Sequence, residues 1–442
     1  MSRGVNLLHL HSKAFQRIFF LLYFCLHLAA VVVLRNVRAF APDELSYIEC
    51  FQSLYNADFN LQPFGGWWNA NIFFLRVLYL PVKMFTFLPF SDLVLLRVYS
   101  IVLTFIALYL LMQFTKLTHS FLGKIALIVF TFTPSIFMWT TLAIKESFII
   151  LSFVVFFVGL CKIPNKSIGY TLCFFSGYSL LNLKGYLFVV LTLSILLCLT
   201  LQLAKNRKFH RTSFLLMLTL LAPYILSPTT SSLILDSSLL FSKKLSEFRI
   251  VTDDIVTGSP LTESPQTNGK LGITSDLLSN KINQSSNFKL FLSILHIDEY
   301  LAKRESTYRE LSSSELNQLR SLTPANPTDL REFVNGLSAF LLFPNVFRSN
   351  GSPILDLLGF ELFFWIFLYA STIYIGWQSR SYLLRFPSIC LVTFISGFLI
   401  ISELIEISVG TGLRHRSILA LLLIIFIGFH NSKIRGVAKT EV

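Results

Sequence analysis

Apolar stretches long enough to cross a membrane recur along the whole chain, and they limit its fold more than any other feature of the sequence. A helix needs roughly 20 apolar residues to cross the hydrocarbon core of a bilayer. Hydrophobic residues make up 54% of the 442 residues, and charged residues only 14%. An ordinary soluble domain has about a quarter of its residues charged. The sequence therefore predicts an all-α polytopic membrane protein.

The spacing of these stretches predicts about ten transmembrane helices. The predicted spans cover residues 18–34, 93–114, 125–139, 147–161, 168–183, 186–204, 213–226, 358–377, 386–401 and 418–429. Lys and Arg cluster in alternate connections and in both tails, which is typical of segments that stay in the cytoplasm. We therefore expect both termini to be cytoplasmic. The net charge of +13 is explained by this topology, so nucleic acid is not an expected partner.

The segments between the spans predict three modules. In the first outer loop, residues 43–55 have the periodicity of an amphipathic helix lying on the membrane surface. Residues 72–88 are apolar but interrupted by Arg76, Pro81 and Lys83, which predicts a second interfacial or re-entrant helix. A large outer insertion between spans seven and eight is rich in Ser, Thr and Asn, and its residues 332–343 predict another surface helix. The modules are an N-terminal transmembrane module (1–226), an extracytoplasmic insertion (227–353) and a C-terminal transmembrane module (354–442).

Asp43 and Glu44 are the first acidic residues after the first span. Acids in the first turn of a helix complement its macrodipole, and Pro42 suits the first helical position, so the pair can simply begin the surface helix. Alternatively, a carboxylate at a membrane-proximal cleft can act as a general base towards an acceptor hydroxyl. In that hypothesis Asp43 is the base, and Glu44 orients Asp43 or the acceptor.

Trp67 and Trp68 follow a glycine turn in the same outer loop. Paired tryptophans at a membrane boundary are usually interfacial anchors. The alternative is a mobile aromatic flap that covers a sugar or lipid substrate.

Lys145 and Lys184 lie at the outer ends of predicted spans. Lysines near helix ends commonly extend towards the lipid headgroups. Either lysine can instead hold the phosphate of a lipid-linked substrate.

Arg414 and Arg416 flank a histidine after a glycine turn, on the outer side of the last span, against the positive-inside rule. Arginines bind phosphate oxygens with a fork geometry, which favours a phosphate site. A rim that binds lipid headgroups is the alternative, and the upstream Glu403 and Glu406 are close enough in sequence to neutralise both arginines. No spacing typical of a metal site is present, so we expect no cofactor; a divalent cation is compatible with the sequence but not indicated by it.

Three local patterns resemble the GT-C superfamily of integral-membrane glycosyltransferases, in particular the branch with protein O-mannosyltransferases and lipid A aminoarabinose transferases. They are PDELSY at 42–47, PSIFMWTTLAIKE at 134–146 and GTGLRHR at 410–416. The resemblance implies a GT-C-like fold in the bacterial cytoplasmic membrane and a sugar donor on a polyprenyl phosphate. It also implies inverting transfer on the outer face, with Asp43 as base and with Lys145 and Arg414 or Arg416 stabilising the departing phosphate.

We therefore expect a membrane glycosyltransferase whose acceptor is a lipid, a glycan or a protein. The main alternative is a polysaccharide polymerase or ligase that uses glycans linked to lipid pyrophosphate. A transporter is less expected, because transport sites place paired ionisable residues deep inside the spans. A non-catalytic assembly protein is the remaining alternative.

Overall fold

The computed structural model describes residues 2–35, 44, 47–52, 67–85, 87, 89–115, 117–163, 167–206, 211–226, 330–342, 359–383, 386–405 and 409–438. Within these ranges only the backbone is described for 2–11, 67–72, 203–206, 211–213, 330–333, 335, 339, 386–387, 403–405, 409–413 and 432–438. The described part of the chain is helical apart from short connections, and it contains no strand. The predicted all-α class is thus confirmed for this part.

The helices follow the order of the apolar stretches. They are α1 (Ser2–Leu34), α2 (Trp67–Met84), α3 (Asp92–Thr115), α4 (Phe121–Phe132), α5 (Pro134–Thr141), α6 (Glu146–Lys162), α7 (Ile168–Leu183), α8 (Gly185–Asn206), α9 (Arg211–Leu226), α10 (Leu330–Leu342), α11 (Glu361–Gln378), α12 (Arg380–Leu383), α13 (Phe386–Ile405) and α14 (Val409–Ala438). Residues 44 and 47–52 are also helical, within the predicted surface helix at 43–55. Of the predicted insertion, only α10 lies within the described residues.

Several helices have the length and hydropathy of membrane spans. Three segments of the described chain meet both criteria: Ser12–Leu34, Asp92–Thr115 and Gly185–Gln202. The pair formed by α4 and α5 would be a fourth if the two helices make one span, and Phe214–Leu226 and Ser388–Ser402 are shorter apolar helices. These helices fit a membrane protein.

The chain bends within the predicted span at 125–139. Helix α4 ends at Phe132, α5 begins at Pro134, and the two axes differ by 61°. Thr133 between them has a ψ of 122°, outside the helical region. A proline disfavours the helical conformation of the residue before it, but is well suited to the first position of a new helix. The bend turns α5 and the connection after it away from the line of α4.

The prediction of a glycine turn before the last span is wrong. Helix α14 already begins at Val409, so Gly410, Gly412 and the arginines after them are helical. Glycine lowers helix propensity by about 1 kcal/mol relative to alanine. The buried contacts of Arg414 and Arg416 described below provide the tertiary support that overrides this local preference.

Helix α14 forms the centre of the bundle. Every residue from His415 to Gly428 is buried, and the helix packs against α3, α4, α5, α6, α11 and α13. A helix that is apolar on all sides is stable only where neighbours surround it. The last helix therefore holds the residues at its N-terminal end in a fixed position among at least six others.

Different polar contacts lie at the two ends of the bundle. At one end, the Ser12 and Thr118 hydroxyl oxygens lie 2.7 Å apart, and the Asn431 amide donates to the Ser120 hydroxyl. The start of α1 and the end of α14 therefore meet the same short stretch of chain. The other end contains Arg97, whose contacts are described below. Arg97 lies about 27 Å from Thr115 along α3, as calculated from the rise per residue of an α-helix.

Candidate functional site

Glu44 joins the first outer loop to the bundle. Its carboxylate is fully buried and accepts two hydrogen bonds from Arg97 of α3, from Nε at 2.8 Å and from Nη2 at 2.7 Å. The backbone N–H of Ala143 donates to the same carboxylate at 2.9 Å, and Arg97 Nη1 donates to the Leu34 carbonyl at 2.7 Å. One buried ion pair thus connects the end of α1, the first outer loop, α3 and the connection after α5.

These contacts give Glu44 a supporting role for the loop, and the prediction that it orients Asp43 or the acceptor stays a prediction. Its two carboxylate oxygens are occupied by donors from the guanidinium and the backbone, so they hold the loop in position. Asp43, the predicted base, lies outside the described residues. Trp67 and Trp68 open α2, but their side chains lie outside the described part, so the substrate flap stays a prediction.

A second buried carboxylate, that of Glu146, interacts with three of the four predicted cations. Arg414 donates to it from Nε and, at 2.9 Å, from Nη2. The Lys184 ammonium is 3.6 Å from Oε1, and the neighbouring Lys145 also attracts this carboxylate electrostatically. Glu146 is completely buried, and the side chains of Lys184 and Arg414 are 8% and 11% exposed. Residues far apart in the chain therefore form one compact charged cluster, which we call the cation site.

The helix ends favour only part of this arrangement. Glu146 begins α6, where the helix macrodipole favours a negative charge. Lys184 follows α7 but directly precedes α8, and Arg414 lies near the N-terminus of α14, where the macrodipole disfavours a cation, so attraction to Glu146 holds these cations in place. Arg414 reaches the cluster from the second turn of α14. Because α14 is held by its neighbours, the cation site is preorganised by the bundle.

The electrostatics of the cation site keep Glu146 ionised. Glu146 precedes the predicted span at 147–161, so it lies at the outer boundary of the bundle. Burial by itself would raise the pKa of this carboxyl, but Arg414, Lys184 and Lys145 outweigh burial and lower the pKa to about 2. The carboxylate is therefore charged throughout the physiological pH range.

Aromatic and histidine side chains surround the cation site. The Arg414 guanidinium carbon lies 6.0 Å from the ring centroid of Trp139 in α5, within the range of a cation–π contact. The Tyr186 hydroxyl and His415 Nε2 are 3.1 Å apart, one residue along α14 from Arg414. Both the histidine and the tyrosine are buried.

Arg416 does not join the other three cations. Its Nε donates to the Phe340 carbonyl near the end of α10, and its guanidinium carbon lies 5.8 Å and 5.7 Å from the rings of Phe340 and Trp365. The carbonyls at the end of a helix carry partial negative charge, which favours a cation. Arg416 therefore secures the C-terminal end of α10 against the bundle, and the phosphate contact predicted for it stays a prediction.

Two contributors were missed by the sequence predictions. Arg97 interrupts an otherwise apolar span, and an ionisable residue there normally has a partner, which is the signal that could have pointed to Glu44. Glu146 stands next to Lys145 and begins an apolar stretch, but nothing local connects it to Arg414. Among the described residues, no group of three or more His, Cys, Asp or Glu side chains is arranged to hold a metal.

Comparisons with protein-family models, curated proteins and solved structures gave no match. The GT-C resemblance, carried by the three short patterns above, stays a prediction.

Proposed function

We propose that this protein is a membrane glycosyltransferase that transfers a sugar from a polyprenyl-phosphate donor to an acceptor hydroxyl. In this proposal Asp43 is the general base, and Lys145, Lys184 and Arg414 bind the donor phosphate. Glu44 and Glu146 position these groups without taking part in bond making.

The observation that carries the proposal is the connection between the two buried carboxylates. Glu44 accepts from the backbone of Ala143, which is two residues before Lys145 and three before Glu146. The loop that includes Asp43 is thus anchored beside the connection that leads into the cation site. Transfer of a sugar from a lipid phosphate needs two components, a base and a set of phosphate-binding cations.

The chemistry assigns a balanced role to each group. Asp43 takes the proton of the acceptor hydroxyl while its oxygen attacks the anomeric carbon from the face opposite the phosphate. The bond between the anomeric carbon and the phosphate oxygen breaks, and its electron pair stays with the polyprenyl phosphate. The cations stabilise the charge that develops on this leaving group.

The proposal includes a topology. We propose a GT-C-like arrangement of ten spans in a bacterial cytoplasmic membrane, with both termini in the cytoplasm and the cation site on the outer face. Contacts of Ser12 and Asn431 with the stretch 118–120 support having both termini on one side. Basic residues in the alternate connections support that side being cytoplasmic.

The test measures transfer of labelled sugar from polyprenyl-phosphate donors by the purified full chain in lipid nanodiscs. We expect Asp43→Asn to lower turnover by roughly 100-fold or more, the usual contribution of a general base. Glu49→Gln is the matched control, because Glu49 is an exposed acid of the same outer segment. Undiminished turnover by a correctly inserted Asp43→Asn protein would overturn the proposed mechanism.

The same assay separates this proposal from the polymerase or ligase alternative. If glycans linked to lipid pyrophosphate are consumed and sugars on polyprenyl monophosphate are not, the alternative replaces the proposal. We expect the protein to use sugars on polyprenyl monophosphate and not glycans linked to lipid pyrophosphate.

A further inference from the structure

The indole N–H of Trp139 is a buried hydrogen-bond donor without an acceptor. Trp139 is 9% exposed, and its Nε1 atom has no hydrogen-bond partner among the described residues. Buried polar groups in proteins are nearly always paired, and an unpaired one costs free energy. Such a donor is expected where a ligand supplies the missing acceptor.

Trp139 belongs to the cation site by its contacts. Its ring faces Arg414, whose guanidinium donates to Glu146. The Thr140 and Thr141 hydroxyls that follow in α5 donate to carbonyls of their own helix, and neither is paired with the Trp139 N–H. The cation site thus contains a neutral N–H donor beside three cations.

The composition of the cation site indicates the kind of ligand. Lysine ammonium groups act as point charges with little preference for direction, whereas an indole N–H donates along one fixed direction. A ligand that accepts from all of these groups carries several oxygens and negative charge. A phosphate meets both conditions, and a single neutral hydroxyl meets neither.

We propose that the Trp139 indole N–H donates a hydrogen bond to an oxygen of the phosphate held in the cation site. This inference rests on the proposed function, because it takes the ligand to be a polyprenyl phosphate. Trp139 would then be a binding residue for the phosphate group, and Arg414 would be held between its ring and Glu146.

Trp365 provides a matched control. It is a buried tryptophan with the corresponding contact to an arginine of α14, since the Arg416 guanidinium lies 5.7 Å from its ring. The Trp365 indole N–H also lacks a well-formed hydrogen bond among the described residues, but the Glu361 carboxylate lies close enough to interact with it. Replacing Trp365 tests the loss of an indole at an Arg–Trp contact outside the cation site.

The experiment measures binding of polyprenyl phosphate, and of the uncharged polyprenol with the same chain, to the full-length protein in nanodiscs. We expect Trp139→Phe to bind polyprenyl phosphate about tenfold more weakly than the unchanged protein, the loss of one hydrogen bond to a charged group. Trp365→Phe should stay within twofold. Binding of the polyprenol should be the same in all three proteins.

A second substitution keeps the test decisive if phenylalanine disturbs packing. Benzothienylalanine at position 139 has the size and shape of tryptophan, but sulfur replaces the N–H. The thermal unfolding temperature without ligand should then be no lower than that of the unchanged protein, because the sulfur removes a buried unpaired donor, while the tenfold loss of phosphate-lipid binding persists.

Three outcomes would overturn the inference, and they differ in what else they affect. Unchanged binding of polyprenyl phosphate after loss of the N–H removes the role of Trp139 and leaves the proposed function standing. Equal weakening of polyprenyl phosphate and polyprenol would assign Trp139 to the lipid chain. An unchanged protein that binds polyprenyl phosphate no better than polyprenol would end both proposals.

Discussion

Glu44 and Glu146 each hold an arginine that is distant in the chain, and both carboxylates are fully buried. Moving a carboxylate and a guanidinium out of water costs several kcal/mol per ion, and only well-formed hydrogen bonds offset this. Glu44 meets that condition with two bonds from Arg97 and one from Ala143. Residues with such contacts hold other groups in position, so replacing them also displaces or destabilises those groups.

Glu44→Gln tests whether Glu44 supports the loop or takes part in catalysis. The substitution leaves the buried Arg97 without its opposite charge, so we expect the free energy of unfolding to fall by about 3–5 kcal/mol. The thermal unfolding temperature of the protein in nanodiscs measures this, with Glu49→Gln as the exposed control. Normal stability together with lost sugar transfer would indicate that Glu44 orients Asp43 or the acceptor, as predicted from the sequence.

Helices α6 and α7 approach each other closely through glycines. A Cβ placed on Gly159 would lie 2.9 Å from the Gly169 carbonyl oxygen and 3.0 Å from Cys173 Sγ. Small residues allow such close contact between membrane helices, where packing replaces the hydrophobic effect as the source of association. Gly159 lies about 20 Å from Glu146 along α6 by the rise of an α-helix, so this contact holds the two helices together at the end far from the cation site.

Gly159→Ala is expected to destabilise the protein by about 1–3 kcal/mol, because the new methyl group meets backbone that cannot move aside. Gly185→Ala is the control, since a Cβ there would only touch Leu181 at 3.9 Å. Both variants are compared by thermal unfolding. An equally stable Gly159→Ala protein would mean that the two helices can separate without cost.

The whole molecule places its polar contacts at two opposite ends. One end joins the start of α1 to the end of α14 through residues 118–120, and the other holds Glu44, Arg97 and the cation site. The apolar helices between these ends match the thickness of a bilayer. In the proposed topology the two ends correspond to the two membrane surfaces, and the distribution of basic residues supports the proposed orientation.

Cysteine labelling tests that orientation. In a background without the six native cysteines, we expect Glu49→Cys to react with a membrane-impermeant thiol reagent in intact cells. Arg380→Cys should react only after permeabilisation, because Arg380 lies in a basic connection that the proposed topology places in the cytoplasm. Both positions are exposed in the structure. The reverse pattern would move the proposed active site to the cytoplasmic face.

The sequence by itself determined the helical elements. The prediction of 168–183 coincides with α7 (Ile168–Leu183), and the predicted spans at 93–114 and 147–161 each fall one residue inside the ends of α3 and α6. Hydropathy and helix-end chemistry act over a few turns of chain, so a single sequence contains them. The bend at Pro134 has an equally local cause, and the proline was the available signal.

Only the tertiary structure decided which charges meet. Sequence proximity suggested Glu403 and Glu406 as partners for the arginines of α14, but Arg414 pairs with Glu146. Arg414 and Arg416 are two residues apart, yet one enters the cation site and the other secures α10, because successive positions of a helix point in different directions. Such pairings depend on how helices pack, and packing joins residues that no local pattern connects.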